Sequence, residues 1–440
     1  MAPLTVIFGA NSAGKSSLGH LLLALKQTAL SADRKRALNL GDATTLIDLG
    51  TFADCLYAHD LSQTLECDLR WSLPTGLGFR DPLTRKRYFG TKLGLQVSVA
   101  AEKSGQPVMR SLRYDLIEDD DIVLDVTNAR KADGKFKLES DSYKFVRATG
   151  RIWPLAEPEK FYRIPEVTMA RYQNAGFLAD FALATETMLN SISYLGPLRK
   201  HPQRLYQWSG DRPEDVGQLG EYAVAAILSA QNEGRSFNWG RGKPREPFAE
   251  CIAKWLKELG VIHSFVLKPV AEGRKEYEVL IKTHTKAPEV KITDVGFGVS
   301  QVLPALVQAF YCPAHSTVWM EQPEIHLHPQ VQAELADVFI AAIKAREGGQ
   351  DRNIQLIIES HSEHFLNRLQ RRVAEGMLTP DDVAVYFCKR AGSATEMEPL
   401  SLNLLGDIEN WPENFFGDEM ADLTARTVAA ANQLKKASRK

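Results

Sequence analysis

The chain has 440 residues, 44% hydrophobic and 25% charged, with a formal net charge of −2. This is an ordinary globular composition, with no global pull toward nucleic acid or anionic membrane, so any DNA contact needs a local basic patch. No apolar run approaches the ~20 residues of a membrane span, and at ~150 residues per domain the length points to two or three units.

Five scattered cysteines (Cys55, Cys67, Cys251, Cys312 and Cys388) form no C-x-x-C pair. That argues against a disulfide framework or a cysteine zinc site and fits a reducing cytoplasm. The apolar, β-branched run Leu4 to Phe8 predicts a strand, which leaves no room for a signal peptide before it.

Gly9 to Ser16 reads GANSAGKS and fits G-x-x-x-x-G-K-[ST]. The leucine spacing of Ser17 to Leu30 (Leu18, Leu21, Leu22, Leu25) predicts a helix after it. Strand, glycine loop and helix are the context in which loop N–H groups and a helix N-terminus surround a polyphosphate. Gly9, Asn11, Ser12, Ala13, Gly14, Lys15, Ser16 and Ser17 are the expected ATP-binding residues. Lys15 would reach the β- and γ-phosphates, and the Ser16 hydroxyl would serve Mg²⁺.

A basic turn (Asp33 to Arg36) and the segment Leu46 to Asp54 follow. From about Leu65 to Ala148 the pattern becomes short alternating runs: LECDLRWSL, KLGLQVSVA, VMRSLRYDLIE, DIVLDV, KFKLES and YKFVRA. Each is bounded by turn residues, as in an antiparallel sheet with one wet face. Helical spacing returns between Phe161 and Asn190, then Tyr194 to Arg204 (YLGPLRKHPQR) forms a Pro- and Arg-bearing connection. Glu221 to Leu228 and Glu250 to Leu259 read as helices, and His263 to Lys282 as two strands.

From Lys291 onward, strands Ser316 to Met320, Gln355 to Glu359 and Val383 to Cys388 alternate with helices, which implies a parallel sheet with crossovers. The expected organisation is 1–60 as an ATPase N-lobe, 61–160 as a β-rich insertion, 161–290 as a helical lid or arm and 291–440 as an ATPase C-lobe.

Three further elements suit a nucleotide site. Val318 to Met320 ends in Glu321-Gln322-Pro323-Glu324, where a strand-end acid can hold magnesium and a neighbour can orient water. Ile354 to His361 delivers an imidazole at a strand end. Asp294 to Gln301 (DVGFGVSQ) precedes an apolar helix, giving a second helix N-terminus for an anion.

The order of these motifs resembles ABC/SMC-type ATPases, and within them the RecF- and OLD-like branch of bacterial AAA-family ATPases. YLGPLR at 194–199, EQPEIHLHP at 321–329, ESHSEHFLNRLQRR at 359–372 and NWPENFF at 410–416 resemble a subfamily whose C-terminal domain of unknown function ends in a Trp-Pro…Phe-Phe motif. The implied fold is an α/β ABC-type P-loop ATPase with an antiparallel β-rich insertion and a helical lid, using ATP and Mg²⁺.

The resemblance also implies a composite site. Gly296, Gly298, Ser300 and Gln301 of one protomer would face the nucleotide held by Lys15 of another, so ATP would join a homodimer or higher oligomer. Relatives usually carry a strand before the phosphate-loop strand, so the expectation is that this strand is absent or that the true start lies upstream. Glu321, with Ser16, would serve magnesium. Gln322 stands where relatives carry the catalytic glutamate and cannot take a proton from water. General-base help is worth ~10²–10⁴-fold, so slow turnover is expected, with Glu324 the nearest substitute and His361 the γ-phosphate partner.

His326, His328, His361 and His364, with Glu324 and Glu363, lack H-E-x-x-H, and packing roles are the simpler reading. Asp381-Asp382 and Asp407-x-Glu409 do not make a Toprim nuclease, because such a fold needs ~100 residues and too few follow His361. Arg368, Arg371 and Arg372 read as a solvated or interface face, with a phosphate-backbone contact as the sharper alternative. Arg199, Lys200 and Arg204 carry the same alternatives and, near a lid, could equally reach nucleotide; the terminal KKASRK reads as a solvated tail.

The expected function is a cytoplasmic regulatory ATPase that controls a separate effector, a nuclease or toxin, in anti-phage defence. The alternatives are a RecF-like DNA-binding clamp and a largely non-hydrolysing ATP-gated scaffold.

Overall fold

The computed structural model describes residues 1–240, 242–392, 394–412, 415–416 and 424–430, with Phe297 described by its backbone alone. The KKASRK tail lies outside the described residues, as do Glu413 and Asn414 of the Trp-Pro…Phe-Phe stretch. The chain forms two compact units, Met1–Ser16 with Tyr194–Lys440, and Ser17–Ser193. These units cut across the four stretches expected from sequence, because the segment Ser17–Ser193 contains both the β-rich run and helix Leu178–Asn190, which share one core.

The first unit is built on a six-stranded sheet. Its order is Ala394–Leu400, Val383–Ala391, Leu4–Gly9, Gln355–Glu359, Thr317–Glu321, Ile192–Leu195. Leu4–Gly9 pairs in parallel with both neighbours, and Thr317–Glu321 runs parallel to Gln355–Glu359. All six residues of Leu4–Gly9 are buried, or nearly so, as a strand covered on both faces requires. Helices Phe297–Tyr311, Pro329–Lys344 and Glu363–Ala374 supply Leu306, Phe310, Phe339 and Leu366 to a core shared with Val6, Met320 and Ile358.

Parallel strands place their C-terminal ends, and hence Gly9, Glu321 and Glu359, along one edge of the sheet. Ligands bind at that edge in open α/β sheets. At the strand's flank, Phe8 meets Phe415 and Phe416 edge-on, with ring centroids 5.5 and 5.7 Å away. Phe415 also packs on Phe387 and Trp411, so the Phe-Phe end of the motif joins the core around the phosphate-loop strand.

The second unit carries a five-stranded antiparallel meander, Thr64–Arg80, Arg87–Ala101, Pro107–Glu118, Asp121–Arg130 and Phe136–Glu139, paired in sequence order. The first two strands run past the expected limits because Leu77–Arg80 also pairs with Arg87–Gly90 beyond an irregularity. Tyr143 to Ala148, expected as a further strand, is not one. Its pairing stops at one antiparallel bridge, Arg147 with Tyr172, and the Asn174 side chain accepts from Val146 N at 2.9 Å and donates to Lys144 O at 2.9 Å.

The stretch expected as a lid holds helices Ala223–Asn232 and Phe248–Glu258, accompanied by short antiparallel strands that include the pair Ser264–Pro269 and Glu276–Lys282. Among the described residues no helix is long and apolar enough to cross a membrane.

Candidate functional site

The loop after Phe8 has the backbone its glycines allow. Gly9 and Gly14 have φ of 147° and 91°, and Ser12 sits at 59°. Space is equally restrictive: a Cβ on Gly9 would lie 2.5 Å from Cys388 O, and one on Gly14 would lie 2.6 Å from Thr395 Oγ1. The hairpin Val383–Leu400 is therefore the floor of the loop, a role nothing in its sequence announces. Lys15, 6% exposed, folds over the loop and donates to Gly9 O at 3.1 Å and Ala10 O at 2.9 Å. Burial lowers its pKa, while Glu359, Cys388, Glu321 and Glu324 oppose that shift.

Three carboxylates converge on this lysine's field. Glu321 and Glu359 are register partners at the ends of adjacent parallel strands. Glu321 Oε1 accepts from the Tyr194 hydroxyl at 2.9 Å, and Arg199 Nη2 reaches the Glu321 carbonyl at 3.4 Å. Glu359 accepts from Ser16 Oγ at 2.8 Å and from Trp319 Nε1 at 3.2 Å. Burial, then the charge of Glu321, pushes the Glu359 pKa up to about 7. Glu324 accepts on Oε1 from Ser360 Oγ and His361 N, both at 2.8 Å, while its buried Oε2 has no hydrogen-bond partner. Burial raises its pKa.

Gln322 follows Glu321 with φ of 44°, and its N–H donates to Glu359 O at 2.9 Å. This ties the Glu321–Glu324 turn to the end of the neighbouring strand. His361 stands at that strand's end with its pKa lowered by desolvation and then by Lys15. Arg199 is buried, its pKa lowered by burial to about 10, and its Nε and Nη1 have no partner in the chain.

Lys15, Ser16, Glu321, Gln322, Glu324 and His361 thus lie on the strand ends of one unit. The Asp294–Gln301 segment opens helix Phe297–Tyr311, with Gly296 as its N-cap. Gly296 is exposed and Gly298 half-buried, but Ser300 and Gln301 are 6% and 3% exposed. The Asp294–Gly298 end is thus the more exposed part of the segment, and Ser300 lines a cavity beside it. The other histidines do not converge: His328 caps helix Pro329–Lys344, accepting from Gln330 N, and His326 and His364 are exposed. Among the described residues no group of three His, Cys, Asp or Glu side chains is placed to hold a metal by itself.

A hydroxyl with one or two carboxylates does suit Mg²⁺, which takes oxygen ligands and completes its shell with water and substrate phosphate. Ser16, Glu321 and Glu359 fit that donor set. Sequence reasoning named the first two and missed Glu359, although a carboxylate closing an apolar strand, as in Glu321, was the available signal. Tyr194 and Trp319, which orient the two acids, carried no such signal.

Two arginines of the basic patch are tied to a neighbouring helix, and the third stays exposed beside Glu375. Arg372 Nε and Nη2 bind the two oxygens of Asp337 at 2.6 and 2.8 Å, Arg368 shares that carboxylate, and Arg371 pairs with Glu375.

The sheet order, glycine loop and strand-end acids define a phosphate-loop ATPase. Within that class, residues 247–366 match the AAA ATPase domain family AAA_15, and residues 378–425 match the protein of unknown function family DUF3696. The two matches bear out the resemblance read from the motifs, a RecF/OLD-like AAA-family ATPase domain followed by the segment that ends in Trp-Pro…Phe-Phe. No curated protein matches the sequence.

Among solved structures, the chain is similar to an Smc head bound to the C-terminal winged-helix domain of ScpA, at 12% identity and a TM-score of 0.39 over 91% of both chains. It is also similar to a Pyrococcus furiosus Smc head with an extended coiled coil bound to the C-terminal domain of ScpA, at 9% identity and 0.37 over 91% of this chain and 90% of that one. The SMC head domain from Thermotoga maritima gives 10% and 0.35 over 90% of both.

Proposed function

We propose that this ATPase is a slowly hydrolysing regulatory switch that dimerises on ATP and controls a separate effector in bacterial anti-phage defence. The observation that carries the switch is the turn Glu321-Gln322-Pro323-Glu324, where an amide occupies the strand-end position next to the metal-binding acid. Lys15 and the loop amides hold the polyphosphate, and Ser16 with the neighbouring acids holds Mg²⁺, which screens phosphate charge. Glu324 is the base: Ser360 and His361 N anchor one oxygen and leave the other without a partner. The outward Gly296–Gly298 turn of one protomer meets the phosphate bound by another. Ser300 and Gln301, on the first turns of the same helix, complete that signature.

The scaffold reading is favoured by the same Gln322. The DNA-clamp reading loses its named patch to Asp337 and Glu375. The test is ATP turnover, with molar mass in solution with and without ATP, for wild type, Lys15→Ala and Gln322→Glu. Slow turnover lost in Lys15→Ala and an ATP-dependent dimer support the switch. A monomer under all conditions sinks it, and turnover found only in Gln322→Glu makes the scaffold the function.

A further inference from the structure

The structure divides the work of the two register-paired acids in a way the motif does not. In the sheet, Gln355–Glu359 lies between the phosphate-loop strand and Thr317–Glu321. Glu359 is thus one strand from the loop and Glu321 is two, with adjacent strands about 4.8 Å apart. The hydrogen bonds follow that order. The loop serine donates its hydrogen bond to Glu359, while Glu321 Oε1 accepts from Tyr194 on its other side. The second oxygen of Glu359 is fixed by Trp319 Nε1, and the side chain is 2% exposed.

We infer that Glu359, rather than Glu321, is the principal carboxylate that positions Ser16 for magnesium, an assignment that rests on the ATP-site reading above. A serine whose proton is held by a carboxylate keeps its oxygen lone pairs for a cation. Outer partners of this kind commonly change metal affinity 10–100-fold when removed. Glu321 then acts mainly through Tyr194 and the turn that carries Gln322 and Glu324. Glu359 is a positioning residue, and the Trp319 contact makes its state readable by indole emission.

The experiment uses the full chain, a fluorescent ATP analogue and Mn²⁺ in place of Mg²⁺, followed by electron paramagnetic resonance. Glu359→Gln is expected to weaken Mn²⁺ binding in the presence of nucleotide by about 10–100-fold while still binding metal-free nucleotide. Glu321→Gln is expected to weaken Mn²⁺ less. Wild-type Mn²⁺ affinity in Glu359→Gln, with the loss appearing in Glu321→Gln, overturns the assignment. A wild type that binds no nucleotide with or without metal removes the ATP-site reading itself, a different signature.

Trp319→Phe retains the Glu359 carboxylate and its Ser16 contact while removing the indole, should Glu359→Gln not fold. Metal–nucleotide binding should change tryptophan emission in the wild type and not in Trp319→Phe. The same change in both overturns the assignment.

Discussion

Arg372 holds Asp337 through two hydrogen bonds, Nε to Oδ1 at 2.6 Å and Nη2 to Oδ2 at 2.8 Å. The pair joins helix Glu363–Ala374 to helix Pro329–Lys344, and side-chain exposures of 18% and 20% protect it from full solvent screening. Neutralising these arginines should therefore cost stability before it costs any nucleic-acid affinity. Arg372→Ala is expected to lower unfolding free energy by about 1–3 kcal/mol, measured by urea denaturation. DNA binding that falls in Arg371→Ala, where the side chain is 62% exposed, with stability unchanged, would restore the clamp.

Glu324 is the second case. If its partnerless oxygen takes the proton from water, Glu324→Gln should lower kcat by about 10²–10⁴-fold with the nucleotide Kd nearly unchanged. Steady-state turnover and equilibrium binding separate the two quantities. A variant that turns over normally would return the base role to another group.

Glu359 gives a pH dependence with a definite sign. Its pKa rises from an ordinary 4.5 to about 7 in the fold, so the native state binds the extra proton between those values. Its contribution to stability is complete below pH 4.5 and is lost as pH rises through about 7. The shift corresponds to about 3 kcal/mol. Glu359→Gln without nucleotide should therefore be more stable than wild type at pH 8 and gain little at pH 4.5. Thermal melts of both proteins across this range check it, and an equal effect at both ends contradicts it.

Phe415 is 7% exposed and touches Phe8, Phe387, Trp411 and Phe416. Phe415→Ala should cost about 3–5 kcal/mol. Because Phe8 immediately precedes the phosphate loop, ATP affinity should fall with it. Melting temperature and nucleotide Kd, measured together, test whether the C-terminal motif supports the loop or only the fold.

The motifs were readable because each sits on a strand or helix whose period is strong: Leu4 to Phe8, Val318 to Met320 and Ile354 to Ile358 are apolar runs closed by a polar end. The partners of those ends were not readable. The bonds from Ser16 to Glu359 and from Tyr194 to Glu321 join positions 343 and 127 residues apart. No local period encodes strand order. The floor supplied by Cys388 and Thr395 was hidden for the same reason, since it depends on which strand lies next to Leu4–Gly9. Tyr143 to Ala148 misled in the opposite sense. Its alternation is that of a strand, yet its backbone pairs only through a single bridge at Arg147 and Tyr172, with the Asn174 side chain taking Val146 N and Lys144 O.

The covalent path through the two units has a mechanical consequence. The chain leaves the sheet-bearing unit after Ser16 and re-enters it at Tyr194. Those two residues are the ones whose hydroxyls hold Glu359 and Glu321. Followed along the chain, the two ends of segment 17–193 thus each lead to a residue that holds a different acid. Whatever pulls on both ends of that segment therefore bears on Glu359 and Glu321 together.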